Sequence, residues 1–221
     1  MIISHTHKFI YFRCRKVAST SMEIALSQIL ESQDIATLMS PRDEKLRISL
    51  GGRPQNFVNP TNPKFIDHND FDNLLFYNHM SYDRLKNVMP SIDIDSYFKF
   101  CFERNPWEKV VSLWFHRTAR SKISFNNFME TGEFKDAINW PIYTSDNKIK
   151  MDSIGRYENL EHDFLSILNT IGLPKLDLPN AKSHFRNKDL EPNTLFTPKY
   201  HLMIEEAFKN EISKFNYVCP Y

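Results

Sequence analysis

The chain has 221 residues, 41% hydrophobic and 14% aromatic, ample for one large domain with a sizeable core. Lys plus Arg number 28 against 27 Asp plus Glu, so a net charge of +1 argues against a protein that simply coats nucleic acid or an anionic membrane, and any anion site must come from local clustering. Three cysteines, Cys14, Cys101 and Cys219, lie far apart with no CxxC pair and no adjacent His, which disfavours a metal cage and points to free thiols in a reducing compartment.

The apolar part of the opening MIISHTHKFIYF is too short for a signal h-region, and with no transmembrane segment the chain reads as soluble and cytoplasmic. The first strand-like run, Phe9 to Phe12, leads through Arg13 to Ser21 (RCRKVASTS) into a helix-like segment, Met22 to Leu30. A strand that turns through small hydroxylated residues into a helix presents backbone N–H groups and the positive end of the helix. Lys16 adds a movable point charge, and Ser19, Thr20 and Ser21 add hydroxyl donors, so phosphate or sulfate is the natural guest. The loop is neither GxxxxGK[ST] nor a dinucleotide fingerprint; no glycine precedes Gly51, so close backbone approach to an anion rests on Ala18 and Ser19. On local chemistry alone, a capped helix start with exposed basic residues is an equal reading.

Between Pro41 and Asn73 a polar stretch contains Gly51-Gly52, Pro54, Pro60 and Pro63 without sustained periodicity. It reads as an insertion at about 41–73 in a single domain spanning 1–221, serving substrate access or lying on the surface. The second apolar run, Leu74 to Tyr77, would put His79 at a strand's carboxyl end. The third, Tyr97 to Phe102, leads into a helix over Trp107 to Arg117, with Asn105 as N-cap and Pro106 at the first helical position. Arg104 then ends the strand and Ser112 lies about two turns into the helix. Alone, Arg104 is better read as an ion-pair partner of Glu103 or Glu108. The fourth run, Ile154 to Tyr157, leads into a helix over Leu160 to Ile171 that stops at Gly172, with Pro174 beyond. After a stretch rich in Pro and Asn, Leu173 to Pro198, the chain ends in an amphipathic helix, Tyr200 to Phe215, with Leu202, Ile204, Ala207, Phe208, Ile212 and Phe215 on its apolar side. Strands alternating with helices imply an α/β fold whose mostly parallel sheet is covered on both faces and binds ligands outside the carboxyl ends of its strands.

Taken together, the Lys16 loop and RNPWEKVVS (Arg104 to Ser112) resemble the two cofactor motifs of sulfotransferases that use 3′-phosphoadenosine 5′-phosphosulfate. The first resembles the family's 5′-phosphosulfate loop; the second resembles its 3′-phosphate motif, an Arg followed eight residues later by a Ser. More narrowly, RKVASTS and the later GRYENLEHDF resemble carbohydrate sulfotransferases, especially the heparan/uronosyl 2-O group, which sulfates the 2-position of uronic acids in glycosaminoglycans. The likeness runs discontinuously from Phe9 to about Phe185. Arg15 stands where that group usually has Pro, and the 41–73 region has no match.

The resemblance implies a three-layer P-loop-like fold with a central mostly parallel sheet flanked by helices. It implies that Lys16 holds the bridging and 5′-phosphate oxygens, with Arg15, Val17, Ala18, Ser19, Thr20 and Ser21 around that phosphate and Arg104 and Ser112 on the 3′-phosphate. Tyr157 would lie near the adenine, and Lys182, Ser183 and Arg186 would belong to a late polar loop that closes over the nucleotide. The acceptor would carry a hydroxyl, as a glycan or glycolipid does, and no metal is expected. Sulfuryl transfer to an alcohol needs a base for the hydroxyl proton and positive charge where the leaving phosphate develops negative charge. The HMSY segment resembles the one that supplies the base in uronosyl 2-sulfotransferases, so His79 is the expected base and Lys16 the charge that meets the leaving group. His5, His7, His68, His116, His162, His184 and His201 lack that combination, with His184 in reserve beside the late loop; Glu103 is the runner-up base. Arg117, Arg120 and Lys122 are available to an acidic acceptor, although charge runs are usually solvated faces. Two other readings stay open: a kinase-type phosphotransferase, which would lack a Walker A loop, and a non-catalytic module that binds a nucleotide or polyanion through Arg13, Arg15 and Lys16.

Overall fold

A computed structural model describes residues 1–59, 74–179 and 192–221. The sequence expectations for Lys182, Ser183, Arg186, His68 and His184 therefore lie outside the described residues, as does the second half of the expected insertion. In chain order the elements are β1 (Ile2–Ser4), β2 (Phe9–Tyr11), α1 (Ser19–Ser27), β3 (Ile35–Ala36), α2 (Pro41–Ser49), α3 (Tyr82–Val88), β4 (Phe98–Glu103) and α4 (Pro106–Ser121). They continue with α5 (Phe125–Glu130), α6 (Trp140–Tyr143), a small hairpin of β5 (Thr144–Ser145) and β6 (Lys148–Ile149), β7 (Ser153–Arg156), α7 (Leu160–Thr170), α8 (Pro198–Ala207) and α9 (Lys209–Phe215).

The central sheet has five strands in the order β3-β1-β2-β4-β7. β1 is antiparallel to both of its neighbours, whereas β2 pairs parallel with β4 and β4 parallel with β7, so all strands but β1 point the same way. This is the expected α/β arrangement of a mostly parallel sheet flanked by helices. The Phe9-Ile10-Tyr11 and Phe100-Cys101-Phe102 runs are fully buried, as strands covered on both faces must be. β7 packs closely because Gly155 sits opposite Phe102 in the ladder, and a Cβ there would come within 2.4 Å of the Phe102 ring. The glycine of GRYENLEHDF is thus a packing residue.

Because β2, β4 and β7 are parallel, their carboxyl ends share one edge, and the segments that follow them meet there: the Lys16 loop, Arg104 and Tyr157. A second apolar cluster joins Trp107, Val110 and Leu113 of α4 to Phe125 and Phe128 of α5 and to Tyr200 and Ile204 of α8. Its packing orients α4, one face against α5 and α8 and another toward that edge.

Several local expectations are corrected. Leu74 to Tyr77 is not a strand: Leu74 makes only an isolated antiparallel bridge to Val58, and the N–H groups of Leu75 and Phe76 both donate to the carbonyl of Phe57. On the β3 edge of the sheet, Ala36 bridges to Gln55 and not to this segment. The start of the supposed insertion is the helix α2, capped by Ser40 with Pro41 leading it. Its buried face is polar (Asp43, Glu44 and Arg47), so no apolar periodicity announces it. The predicted last helix is two, α8 and α9, broken at Phe208 (φ −110°, ψ 21°), and Leu202 is left 65% exposed. The cap reading for α4 holds: the Asn105 side-chain oxygen accepts the N–H of Trp107 at 3.1 Å, with Pro106 in the first turn.

Candidate active site

The loop between β2 and α1 turns without glycine. Lys16 (φ 62°) and Ala18 (φ 59°, ψ 24°) both adopt left-handed backbone, one residue apart, a conformation non-glycine residues rarely take. Ala18 caps α1 with no side-chain cap bond, and no acidic side chain occupies the first turn. Such a helix start presents its first N–H groups to an anion. Val17 is fully buried, so it offers the site only its backbone; Ser19 and Thr20 are nearly buried and Ser21 is half-exposed.

Arg13 does not serve the loop in the way the polyanion reading required. Its guanidinium is buried, ion-paired with the fully buried Glu23 of α1, and donates to the Thr20 hydroxyl at 2.9 Å. Burial lowers its pKa to about 10, which still leaves it cationic at neutral pH. It is an internal brace between the strand end and the helix.

At the end of β4 the structure separates two charges that sit together in the sequence. Glu103 is fully buried and ion-pairs with Lys109 at 2.7 Å, not with Arg104. Its carboxylate also accepts the Arg104 N–H (2.8 Å), the Asn139 side-chain amide (3.2 Å) and the Tyr143 hydroxyl (3.0 Å). Every carboxylate oxygen is engaged, so Glu103 is corrected from runner-up base to structural anchor. Arg104 turns the other way. Its Nε lies 3.3 Å from Glu108, the ion pair that the sequence allowed, and its guanidinium stacks 3.9 Å above the centre of the Tyr157 ring. Tyr157 is half-buried at the start of a short turn after β7.

His79 arrives by a route other than a strand end. Asn78 anchors the segment by donating to the carbonyl of Leu38 (2.6 Å) and accepting from Thr37 (3.0 Å), and His79 follows in left-handed conformation (φ 63°). Its Nδ1 lies 2.9 Å from the carbonyl oxygen of Arg13. A carbonyl only accepts, so this bond puts the hydrogen on Nδ1 and leaves the lone pair of the neutral ring on Nε2.

One open cleft of about 790 Å³ takes in every expected site residue among those described: Arg15 to Ser21, His79, Arg104, Ser112 and Tyr157. Along α4 it continues from Ser112 to His116 and, one row over, from Leu113 through Arg117 to Ser121, a run of about 14 Å at 1.5 Å per residue. Arg117 is ion-paired with both Glu133 and Asp136, so it is not held ready for an acidic acceptor; Lys122 ends α4 in left-handed conformation. The α7 side contributes Leu160 and Glu161, and the following segment Leu178 and Pro179. Sequence reasoning passed over His116, whose signal was its place one helical turn beyond Ser112. It had no means of finding Asp136 or Asn139, which come from a distant segment.

Cys14 and Cys101 are buried beside one another, and the Cys101 thiol is pushed up by burial and by its Cys14 neighbour; both are free thiols, as is Cys219. Among the described residues no group of His, Cys, Asp and Glu is placed to hold a metal ion, and no helix is long and apolar enough to cross a membrane.

A protein-family model described as "Sulfotransferase family" matches residues 1–218. An uncharacterized protein of Archaeoglobus fulgidus is 45% identical over 87 residues, which cover 37% of this chain and 72% of that protein. No solved structure matches the chain.

Proposed function

The chain belongs to the sulfotransferase family, and on that premise we propose that it moves a sulfuryl group from 3′-phosphoadenosine 5′-phosphosulfate to a hydroxyl of a glycan or glycolipid. The observation that carries this reading is the shared cleft: a lysine-bearing, left-handed loop at a helix start without a side-chain cap bond and the Arg104–Ser112 pair line the same space. Two separated anion seats suit a nucleotide phosphorylated at both its 3′ and 5′ positions. The donor supplies the sulfuryl group and a phosphate leaving group.

In this reading Lys16 and the first N–H groups of α1 meet the charge that develops on the 5′-phosphate. Arg104 and Ser112 hold the 3′-phosphate, and the Tyr157 ring beneath Arg104 fixes the guanidinium plane at the adenosine side. His79 takes the acceptor's hydroxyl proton on Nε2 as the new O–S bond forms and the bond from sulfur to the phosphate oxygen breaks. Its Nδ1 bond to the Arg13 carbonyl supports that tautomer. The glycan assignment rests on the likeness of RKVASTS and GRYENLEHDF to carbohydrate sulfotransferases; the capture of Arg117 by two carboxylates disfavours a strongly anionic glycan anchored there.

Two measurements test the proposal. Adenosine 3′,5′-bisphosphate at about one hundred times its Kd should stabilise the fold by about 2.7 kcal/mol, a Tm rise of roughly 5–10 °C, well above that given by ATP with magnesium. Radiolabelled sulfate should pass from the donor to a glycan or glycolipid. Stronger stabilisation by ATP with magnesium, or tight bisphosphate binding with no transfer to any acceptor in a broad panel, would count against it.

A further inference from the structure

Asn139 is fully buried and bonds to the loop of one anion-binding motif and to Glu103, the residue immediately before the other. Its side-chain oxygen accepts the Arg15 N–H at 2.7 Å, and its side-chain nitrogen donates to the Arg15 carbonyl at 3.1 Å, so one amide holds both polar groups of the residue that precedes Lys16. The same nitrogen donates to Glu103 Oε1 at 3.2 Å. That oxygen also accepts the backbone N–H of Arg104 at 2.8 Å. An amide nitrogen has two hydrogens, and here each has a distinct acceptor.

Asn139 is itself held from behind. The N–H groups of Asn139 and Trp140 both lie 3.3 Å from Glu211 Oε1, and Lys109 sits between Glu211 (4.0 Å) and Glu103 (2.7 Å). Residue 15 is not proline, so no ring limits its backbone and its N–H is present to be captured. The restraint on the loop is thus a pair of hydrogen bonds anchored in a buried ionic network.

We propose that Asn139 is a positioning residue that fixes the spacing between the Lys16 loop and Arg104, and thereby between the seats for the two phosphates of the nucleotide. This rests on the donor reading given above. Without the amide, the Arg15 peptide loses both partners and the loop is released from the end of β4, while the remaining contacts of Glu103 with Lys109, Tyr143 and the Arg104 N–H persist.

The test is a double-mutant cycle read as Kd for adenosine 3′,5′-bisphosphate by calorimetry. Asn139→Ala should weaken binding about tenfold in the wild-type background and less than about threefold in Lys16→Ala, because the loop then has less to position. Tyr143→Phe, which removes a bond to the same carboxylate without touching the loop, should leave Kd within about twofold. Losses that simply multiply, an unchanged Kd in Asn139→Ala, or an equal loss in Tyr143→Phe would overturn the inference alone. Should Asn139→Ala not fold, Asn139→Ser carries the same cycle and the same outcomes. A wild-type protein that does not bind the bisphosphate overturns both the donor reading and this inference.

Discussion

The imidazole of His79 is tied by its Nδ1 to the main-chain carbonyl of Arg13, 2.9 Å away, so the proposed base hangs from the first residue of the loop that carries Lys16. A general base contributes about 10²–10⁴ in rate. His79→Ala and His79→Gln should therefore lower kcat by that order while the Kd for adenosine 3′,5′-bisphosphate stays within about threefold. Steady-state transfer assays and calorimetry on the same preparations check it, and a fully active variant removes His79 from the chemistry.

Arg104 should read the 3′-phosphate. It is aimed by stacking on Tyr157 at 3.9 Å and by Glu108 at 3.3 Å. A hydrogen bond from a charged group contributes about 1.5–3 kcal/mol, so Arg104→Ala should cut the preference for adenosine 3′,5′-bisphosphate over adenosine 5′-phosphate by roughly 10–100-fold. Competitive displacement by the two nucleotides measures that ratio, and an unchanged ratio would reassign the residue to structure.

Ala18 bears a left-handed backbone that only glycine adopts without cost. The conformation costs an L-residue roughly 1–2 kcal/mol, partly offset by the entropy a glycine adds to the unfolded chain. Ala18→Gly should leave stability unchanged or raise it by up to about 1 kcal/mol, whereas Ala18→Val should lower it by about 1–3 kcal/mol. Urea denaturation with a common m-value distinguishes these outcomes.

The Arg13–Glu23 pair is buried on both sides. Removing one partner of such a pair leaves an uncompensated charge and costs about 3–5 kcal/mol, while replacing both by apolar groups can be close to neutral. Glu23→Gln should be strongly destabilising in chemical denaturation, and Arg13→Met combined with Glu23→Leu should recover only part of the loss, because the buried Met1 ammonium also pairs with Glu23. A mild effect of Glu23→Gln would mean that water reaches the guanidinium.

Much of the cleft was legible because its chemistry is local. The passage from strand to hydroxyl-rich loop to helix around Lys16, the Asn105-Pro106 start of α4 and the Arg104–Ser112 spacing each depend on neighbours within about three turns of chain. His79 was legible from its segment, but the segment is no strand, since the N–H groups of Leu75 and Phe76 go to the carbonyl of Phe57 and Leu74 bridges to Val58 outside the sheet. α2 escaped notice because its buried face is made of Asp43, Glu44 and Arg47. Asn139 escaped because its partners, Arg15 and Glu103, are 124 and 36 residues away.

The pattern of apolar runs and small polar turns was enough to name the strands β2, β4 and β7 and the residues that gather at their ends, because backbone conformation and capping respond to adjacent residues. Which cations face the cleft was another matter. Lys109 lies within the very motif that holds Arg104, yet it turns inward to Glu103, and Arg13, at the wall of the cleft, is taken up by Glu23. A buried carboxylate recruits whichever cation folding brings within reach, since leaving either charge alone in the interior costs several kcal/mol. That pairing is a property of packed space, not of order along the chain.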